Sequence, residues 1–147
     1  MAAGKTMVKF ATIDADGWQL ESAEARHAVS PDTFWMPPRA QREGLQPGDG
    51  VKLLFRIATA EGAGNEQGGE RMWVIVRRRV DNRYLGVLDS TPTSTEPDAS
   101  SLVRGCAVVF APEHIADIST PTREYIIQQY GEAFFGDEDV AHGAGES

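Results

Sequence analysis

The sequence predicts a small α+β domain that is mainly β, built as a strongly bent antiparallel sheet or partly open SH3-like barrel with a C-terminal helix. The first observation is a succession of short segments in which apolar and polar residues alternate, as in Val51–Ile57. The second is the turn chemistry between such segments, of which Asp81-Asn82 is the clearest case. The third is a helix-start signal near the end of the chain, Thr120-Pro121.

The length and composition of the chain indicate one ordinary globular domain. Its 147 residues are the usual size of a single domain, and 41% of them are hydrophobic. We expect residues 1–135 to form this domain. Residues 136–147 are acidic and rich in glycine, and we expect a disordered tail there.

Charge and cysteine content weigh against several classes of function. A net charge of −8 disfavours non-specific binding to nucleic acid or to an anionic membrane. The single cysteine, Cys106, excludes an internal disulfide and a multi-cysteine metal site, and it suits a reducing compartment. The apolar runs of the sequence are too short to span a bilayer. We therefore expect a cytoplasmic protein without a cofactor.

The N-terminal part predicts a hairpin followed by a short helix. The strands are Met7–Ile13 and Trp18–Leu20, and Asp14–Gly17 supplies the turn. Glu21–Val29 is rich in helix-forming residues and ends before Ser30-Pro31.

The segment Phe34–Met36, followed by Pro37-Pro38, allows two interpretations. We expect it to lie across the barrel mouth with its aromatic side chains buried, because large apolar groups favour burial. The alternative is a peptide-binding or dimer surface. Arg39–Leu45 then predicts one or two helical turns.

A central hairpin is the strongest structural prediction. After the strand Val51–Ile57, residues 61–70 form a polar loop without the Gly-Lys-Ser/Thr ending of a phosphate-binding loop. Strands Met72–Val80 and Tyr84–Leu88 follow, joined by a two-residue turn. Period-2 alternation from that turn places six residues on one mixed face: Trp73, Ile75, Arg77, Arg79, Tyr84 and Leu88. The face expected to meet the core carries Met72, Val74, Val76, Arg78, Leu85 and Val87.

The mixed face of this hairpin is the candidate binding site, formed by Trp73, Arg77, Arg79 and Tyr84. We expect Arg79 to stack on Tyr84, and Arg77 to lie over open space above Gly86. Two guanidinium groups beside aromatic rings suit an acidic partner, a carboxylate or a phosphate. The alternative is a half-solvated sheet face covered by another element, such as the C-terminal helix.

The C-terminal part predicts a loop over 91–101, a strand at Cys106–Phe110 and a single helical turn at Pro112–Ile118. A helix capped by Thr120 then runs to about Tyr130. It presents an apolar side formed by Ile126, Ile127, Tyr130 and Phe134.

Two short segments of the chain have the same spacing. Leu45, Gly48, Val51 and Leu53 have the pattern L-x-x-G-x-x-V-x-L, and it recurs with a final phenylalanine at Leu102, Gly105, Val108 and Phe110. Each unit is a turn that leads into a strand. Two such units around a central hairpin favour a small bent sheet or barrel.

The sequence contains no recognisable catalytic arrangement. His27 and His114 are isolated from one another and lack metal-ligand spacing. We expect His114 to cap or shield a helical turn and Cys106 to be a buried structural thiol. The chain is therefore expected not to be an enzyme, with an enzyme of unrecognised type as an alternative.

Several motifs resemble a bacterial family of domains of unknown function, the YegJ-like family. The family pattern W-V … R-F-x-G-x-L … P is similar to Trp73-Val74, Arg83–Leu88 and Pro92 of this chain. The family's L-x-x-G-x-x-V turn is similar to Leu102–Val108, and its closing E-x-I-x-D-W segment is similar to Pro112–Ile118. The resemblance covers about Phe34 to Ile118. Ile118 stands where the family commonly has tryptophan, and Cys106 replaces a polar residue.

The resemblance implies a bacterial protein and a fold, but it brings no catalytic residues. Relatives occur among accessory and immunity-type proteins. The leading hypothesis is therefore a non-enzymatic binding domain that recognises another protein, in an immunity or regulatory role. The alternative is a small barrel that binds a small anion or nucleic acid through Arg77, Arg79 and Tyr84.

Overall fold

The computed structural model of the chain describes residues 9–58, 67–91 and 102–135. The six strands of its sheet are β1 (Trp18–Leu20), β2 (Gly50–Ala58), β3 (Gln67–Val80), β4 (Arg83–Leu88), β5 (Ala107–Phe110) and β6 (Ile115–Ser119). The helices are α1 (Ile13–Asp16), α2 (Ala23–Val29), α3 (Arg39–Glu43) and α4 (Arg123–Tyr130), and Pro112–His114 forms a 3₁₀ turn.

Strand β2 organises the sheet because three strands pair with it. β3 covers one edge over the whole length of β2, while β6 pairs with Gly50–Leu53 and β1 with Phe55–Ile57 on the other edge. β3, β4 and β5 form an antiparallel meander, and the 3₁₀ turn carries the chain from β5 back to β2. All pairings are antiparallel, and the sheet is strongly curled into a half-barrel. The predicted small, bent, mainly β fold with a C-terminal helix is confirmed.

The core fills the concave side of this half-barrel. Alternate residues of β2 point into it, as predicted: Val51, Leu53, Phe55 and Ile57 are all buried. Met72, Val74 and Val76 of β3 and Tyr84 and Leu88 of β4 join them, together with Val108, Phe110 and Ile115.

Two smaller apolar clusters lie outside the main core. One consists of Ala23, Phe34, Leu54 and Ala116, with Met36 packed against it. The other joins Ile75 of β3 to Ile126 of α4 and to Phe134. Helix α4 therefore covers part of the outer face of the hairpin, as the alternative interpretation of that face proposed. Its cap is Thr122, whose hydroxyl accepts from Tyr125 N, and not the predicted Thr120.

The two units with repeated spacing adopt the same local structure. Gly48 and Gly105 both have positive φ angles, 99° and 94°, which residues with a side chain rarely adopt. The N–H of Gly48 donates to Val76 O and that of Gly105 donates to Leu88 O, each at 2.8 Å. The spacing therefore identifies two left-handed turns, each hydrogen-bonded to a strand of the central hairpin.

Two predictions near the chain ends were wrong. Ile13–Asp16 is helical where a strand end and turn were predicted, because the Thr12 hydroxyl accepts from Ala15 N and Gly17 ends the turn with φ 84°. Residues 9–12, which are described, form no strand either. In the second case only Pro112–His114 is helical, and Ile115–Ser119 is a strand that fills the free part of the β2 edge.

Strand β3 is longer than predicted. It starts at Gln67, so Gln67–Glu70 belong to the sheet and not to the polar loop, and Gly69 pairs with Arg56. The remaining predictions for Met7, Val8, residues 59–66, 92–101 and the tail 136–147 lie outside the described residues.

The central hairpin forms around Asp81-Asn82, but its register shifts by one residue at a β-bulge. Val80 pairs with Arg83 and Arg79 with Tyr84, as predicted. Beyond the bulge Val76 pairs with Gly86, because Arg77 is the extra residue of the bulge. The bulge moves the β4 residues to the opposite faces from those predicted. Tyr84 and Leu88 lie in the core, whereas Leu85 and Val87 are only half-buried.

Gly86 lies on the core side of β4, where the prediction of open space above it was wrong. An added Cβ would be 2.6 Å from both Ile75 O and Val74 Cγ1. The backbone of β3 occupies this space, so the position accepts only glycine without movement of the strands.

We expect Gly86→Ala to destabilise the fold by about 2 kcal/mol or more, because a backbone carbonyl cannot move aside as a flexible side chain can. Urea denaturation would measure the change. Gly69→Ala is the matched control, since its nearest contact would be Phe55 O at 3.8 Å. We expect a change of about 0.5 kcal/mol or less for this control. Equal losses in the two variants would contradict the proposed clash.

Candidate functional site

The structure divides the four predicted binding residues between two sides of the sheet. Trp73 lies half-buried on the outer face, with the Lys52 ammonium 5.2 Å from the centre of its ring. Arg77 is on the same side, with its guanidinium carbon 5.5 Å from the ring centre of Phe134. Arg79 and Tyr84 are on the concave side. The single mixed face predicted for the hairpin therefore does not form, because the bulge separates Arg77 from Arg79.

Tyr84 is a core residue and not a surface contact. Its side chain is fully buried and stacks on Phe110 with the ring centres 5.3 Å apart. Its hydroxyl donates to Arg42 O at 2.9 Å and accepts from Leu45 N at 3.3 Å. The predicted stacking of Arg79 on the Tyr84 ring is present, with a distance of 5.2 Å.

Arg42 is a buried cation that the sequence analysis missed. Only 6% of the residue is exposed. Its Nε donates to Pro37 O at 2.8 Å, and its Nη1 donates to Pro112 O at 3.0 Å and to a Glu24 carboxylate oxygen at 2.8 Å. One guanidinium thus links α2, α3 and the 3₁₀ turn at the open end of the half-barrel.

A polar cleft of about 380 Å³ lies at this end of the half-barrel. Arg79, Asn82 and Arg83 of the hairpin line one part of it. Its other charged lining residues are Glu24, Arg39, Glu43 and Glu113. Its volume lies within the usual range of ligand sites.

Arg79 is held firmly at the cleft. Its Nε donates to Asp81 O at 3.0 Å, and its Nη1 donates to Glu43 O at 2.6 Å and to the Tyr84 hydroxyl at 3.3 Å. These three acceptors are uncharged. In the described part of the chain, no carboxylate lies within ion-pair distance of Arg79. The Glu43 carboxylate pairs with Arg39, and the positive charge of Arg79 adds a smaller contribution to the lowering of the pKa of Glu43.

Trp35 is the most exposed aromatic residue of the described chain, with 64% of its surface accessible. Its neighbour Phe34 is buried between the guanidinium groups of Arg26 and Arg71, at 5.3 and 5.6 Å. Phe34 is buried and Trp35 is exposed, so these two neighbouring side chains lie on different sides of the segment. The prediction that this segment buries its aromatic side chains is correct for Phe34 and wrong for Trp35.

His114 is buried and acts as a cap, as predicted. Its Nδ1 accepts from Ala111 N at 3.0 Å, which requires a neutral ring with the proton on Nε2. Burial, and secondly the positive charge of Arg83, lower the pKa of His114 to about 4. Its neighbour Glu113 lies 3.6 Å away, but the ring stays neutral at pH 7.

Cys106 has the environment of a structural thiol. It is partly buried, and this burial raises its pKa above the ordinary value, which disfavours the thiolate. Within residues 9–58, 67–91 and 102–135, no three His, Cys, Asp or Glu side chains are grouped to hold a metal ion. Among the helices of these ranges, none is long and apolar enough to cross a membrane.

Asp89 fixes helix α4 to the sheet. Its carboxylate accepts from the hydroxyls of Tyr125 and Tyr130 and lies 3.1 Å from Arg104 Nη2. Burial and the hydrogen bond to Asp89 raise the pKa of both tyrosines. These groups satisfy one another, so the arrangement is structural.

No protein-family model, curated protein or solved structure matches this chain. The resemblance to the YegJ-like family stays a prediction, carried by the residues quoted above.

We expect Tyr84→Phe to destabilise the fold by about 1–3 kcal/mol, because it leaves Arg42 O and Leu45 N without their hydroxyl partner in a buried site. Equilibrium unfolding in urea would measure the loss. Tyr125→Phe is the control: it removes one of several donors from a carboxylate and should cost less. A Tyr84→Phe variant as stable as the Tyr125→Phe variant would contradict the role given to this hydroxyl.

The lowered pKa of His114 predicts a loss of stability in acid. The unfolded chain binds this proton near pH 6.5, whereas the folded protein resists it until about pH 4. The neutral His114 therefore makes its full contribution to the free energy of unfolding above pH 6.5. This contribution falls between pH 6.5 and 4, by about 3 kcal/mol in total. Unfolding free energies of wild type and His114→Asn at pH 7, 6 and 5 would converge as the pH falls. Parallel pH profiles would refute this assignment.

Proposed function

We propose that this protein is a non-enzymatic binding domain that recognises another protein and uses Trp35 as a central contact residue. The observation that carries the proposal is a large aromatic side chain, 64% exposed, on a backbone segment that is fixed on both sides. Tryptophan is enriched among the residues that dominate the energy of protein interfaces.

The segment around Trp35 is rigid for identifiable reasons. Phe34 N donates to Ser30 O at 2.8 Å, and His27 Nδ1 lies 2.6 Å from Phe34 O, where it acts as the donor. After Trp35, Pro37 is buried and its carbonyl accepts from Arg42. A side chain presented by a fixed backbone loses less conformational entropy when it binds, which favours affinity.

An immunity or regulatory role in a bacterial cytoplasm is the specific form of this proposal. It rests on the resemblance to the YegJ-like family and on the charge and cysteine content of the chain. Trp73, one of the residues predicted for binding, lies on the outer face and extends the surface available to a partner.

Binding of a small anion is the second candidate function. The observation that favours it is Arg79, whose charge is held at a cleft by neutral oxygens. Nucleic acid is a poorer ligand for this site, because the chain carries a net charge of −8 and the cleft contains carboxylates.

Site-specific photo-crosslinking in the native host would test the proposal. A photoreactive phenylalanine derivative replaces Trp35 in one variant and Val103 in the other, a second apolar residue that is 53% exposed. We expect a discrete protein adduct from position 35 and none from position 103. Purified partner should then bind wild type at least about fivefold more tightly than Trp35→Ala, as expected for an interface residue worth more than 1 kcal/mol.

The outcome against the proposal is equally definite. If positions 35 and 103 give the same adducts, or if Trp35→Ala binds the crosslinked protein as tightly as wild type, Trp35 is not the contact residue. Thermal melting of Trp35→Ala provides the folding control, since an exposed side chain should contribute little to stability.

A further inference from the structure

We propose that the polar cleft at the open end of the half-barrel binds a carboxylate carried by a polypeptide, with Arg79 as the anchor. The proposal rests on the proposed protein-binding function and names the chemical group that this part of the surface would recognise. It keeps Arg79 and Tyr84 of the predicted site and leaves out Trp73 and Arg77, which lie on the other side of the sheet.

The charges in the cleft are unequally satisfied. Glu43 lies 2.7 Å from Arg39, and Glu24 lies 2.8 Å from the buried Arg42, so both carboxylates have a direct counter-ion. Arg79 has only neutral acceptors. An incoming carboxylate would therefore supply the direct ion pair that Arg79 does not have among the described residues, where its charge acts on Glu43 only at longer range.

The guanidinium of Arg79 is preorganised for this contact. Its Nε and Nη1 are occupied by Asp81 O, Glu43 O and the Tyr84 hydroxyl, while Nη2 makes no hydrogen bond within the described ranges. The centre of the Tyr84 ring lies 5.2 Å from the guanidinium carbon of Arg79 and supports the group from one side. A guanidinium held in this way can donate to an anion with little further loss of side-chain entropy.

Neighbouring groups complete a site for part of a peptide. Arg83, four residues along the chain, lines the same cleft with its guanidinium 4.1 Å from the centre of the Phe10 ring, and so adds positive potential. Glu113 lies across the cleft with about half of its side chain exposed. A peptide can offer a carboxylate to Arg79 and amide N–H groups to the acidic residues.

The same acidic residues disfavour inorganic phosphate. Glu24 and Glu43 are paired with arginines, but a phosphate ion would bring close to two negative charges towards Glu113, which lies beside the neutral His114. A peptide carboxylate brings one charge, and its amides can pair with glutamates. Charge complementarity thus selects the polypeptide over the free ion.

Two-dimensional NMR of the full chain with ¹⁵N-labelled arginine would test the proposal. Three ligands are titrated: an acetylated and amidated Gly-Asp-Gly peptide, an acetylated Gly-Gly-Gly peptide with a free C-terminus, and inorganic phosphate. The acetylated and amidated Gly-Asn-Gly peptide is the neutral control. We expect the Arg79 Nε signal to shift with at least one of the carboxylate peptides, and not with the neutral peptide. Whichever carboxylate peptide binds more tightly identifies the source as an acidic side chain or a chain end.

Variants assign the binding to the cleft. Arg79→Gln should weaken binding of the carboxylate peptide about tenfold, which is the effect of losing one charged hydrogen bond. Arg78→Gln is the matched control, since Arg78 is exposed and pairs with Leu85 on the outer face, and it should leave binding unchanged. If Arg79→Gln disturbs the fold, the signal shifts in the wild type remain the deciding measurement.

Three results would overturn the proposal. They are the absence of Arg79 shifts with both carboxylate peptides, tighter binding of phosphate than of either peptide, and equal weakening by Arg78→Gln and Arg79→Gln. None of them depends on Trp35, so crosslinking at position 35 would still report on the protein-binding function by itself.

Discussion

The open end of the half-barrel depends on one buried guanidinium. Burying a cation is costly unless hydrogen bonds replace its water, and Arg42 meets this requirement with two backbone carbonyls and one carboxylate. Its own carbonyl is in turn held by the Tyr84 hydroxyl. These bonds join the segment after Trp35, helix α3, the 3₁₀ turn and the central hairpin. The rigidity of the Trp35 segment and the position of Arg79 both follow from this network.

The same network explains how a small chain can present two different surfaces. Packing buries Phe34, and the hydrogen bond from Arg42 to its carbonyl holds the buried Pro37 in place. Trp35, between them, is directed to solvent. On the hairpin, the Tyr84 hydroxyl and the carbonyl of Glu43 fix Arg79 at the cleft. An exposed aromatic side chain and a fixed guanidinium are thus held on one framework, and both groups are of the kind found in protein interfaces.

Much of the fold could be predicted because its signals are local. The alternation of apolar and polar residues in Val51–Ile57 favours a strand, and Asp81-Asn82 favours a tight turn. The tertiary structure is compatible with both local preferences. The bulge at Arg77 has no such signal, since any of three consecutive arginines could be the extra residue. One inserted residue exchanges the two faces of the strand beyond it, and for this reason Tyr84 and Leu88 were predicted on the wrong face of the sheet. Burial of Arg42 and exposure of Trp35 were missed for a related reason: each reverses the usual preference of its residue type, and distant partners decide it.

The order of pairing along β2 has a consequence for synthesis of the chain on the ribosome. β1 precedes β2 and covers Phe55–Ile57, whereas β6, the partner of Gly50–Leu53, is the last of the described strands to emerge. Until then half of one edge of the central strand offers unpaired amide and carbonyl groups, and edges of this kind invite pairing with other chains. The nascent protein therefore keeps this aggregation-prone edge until β6 has been translated.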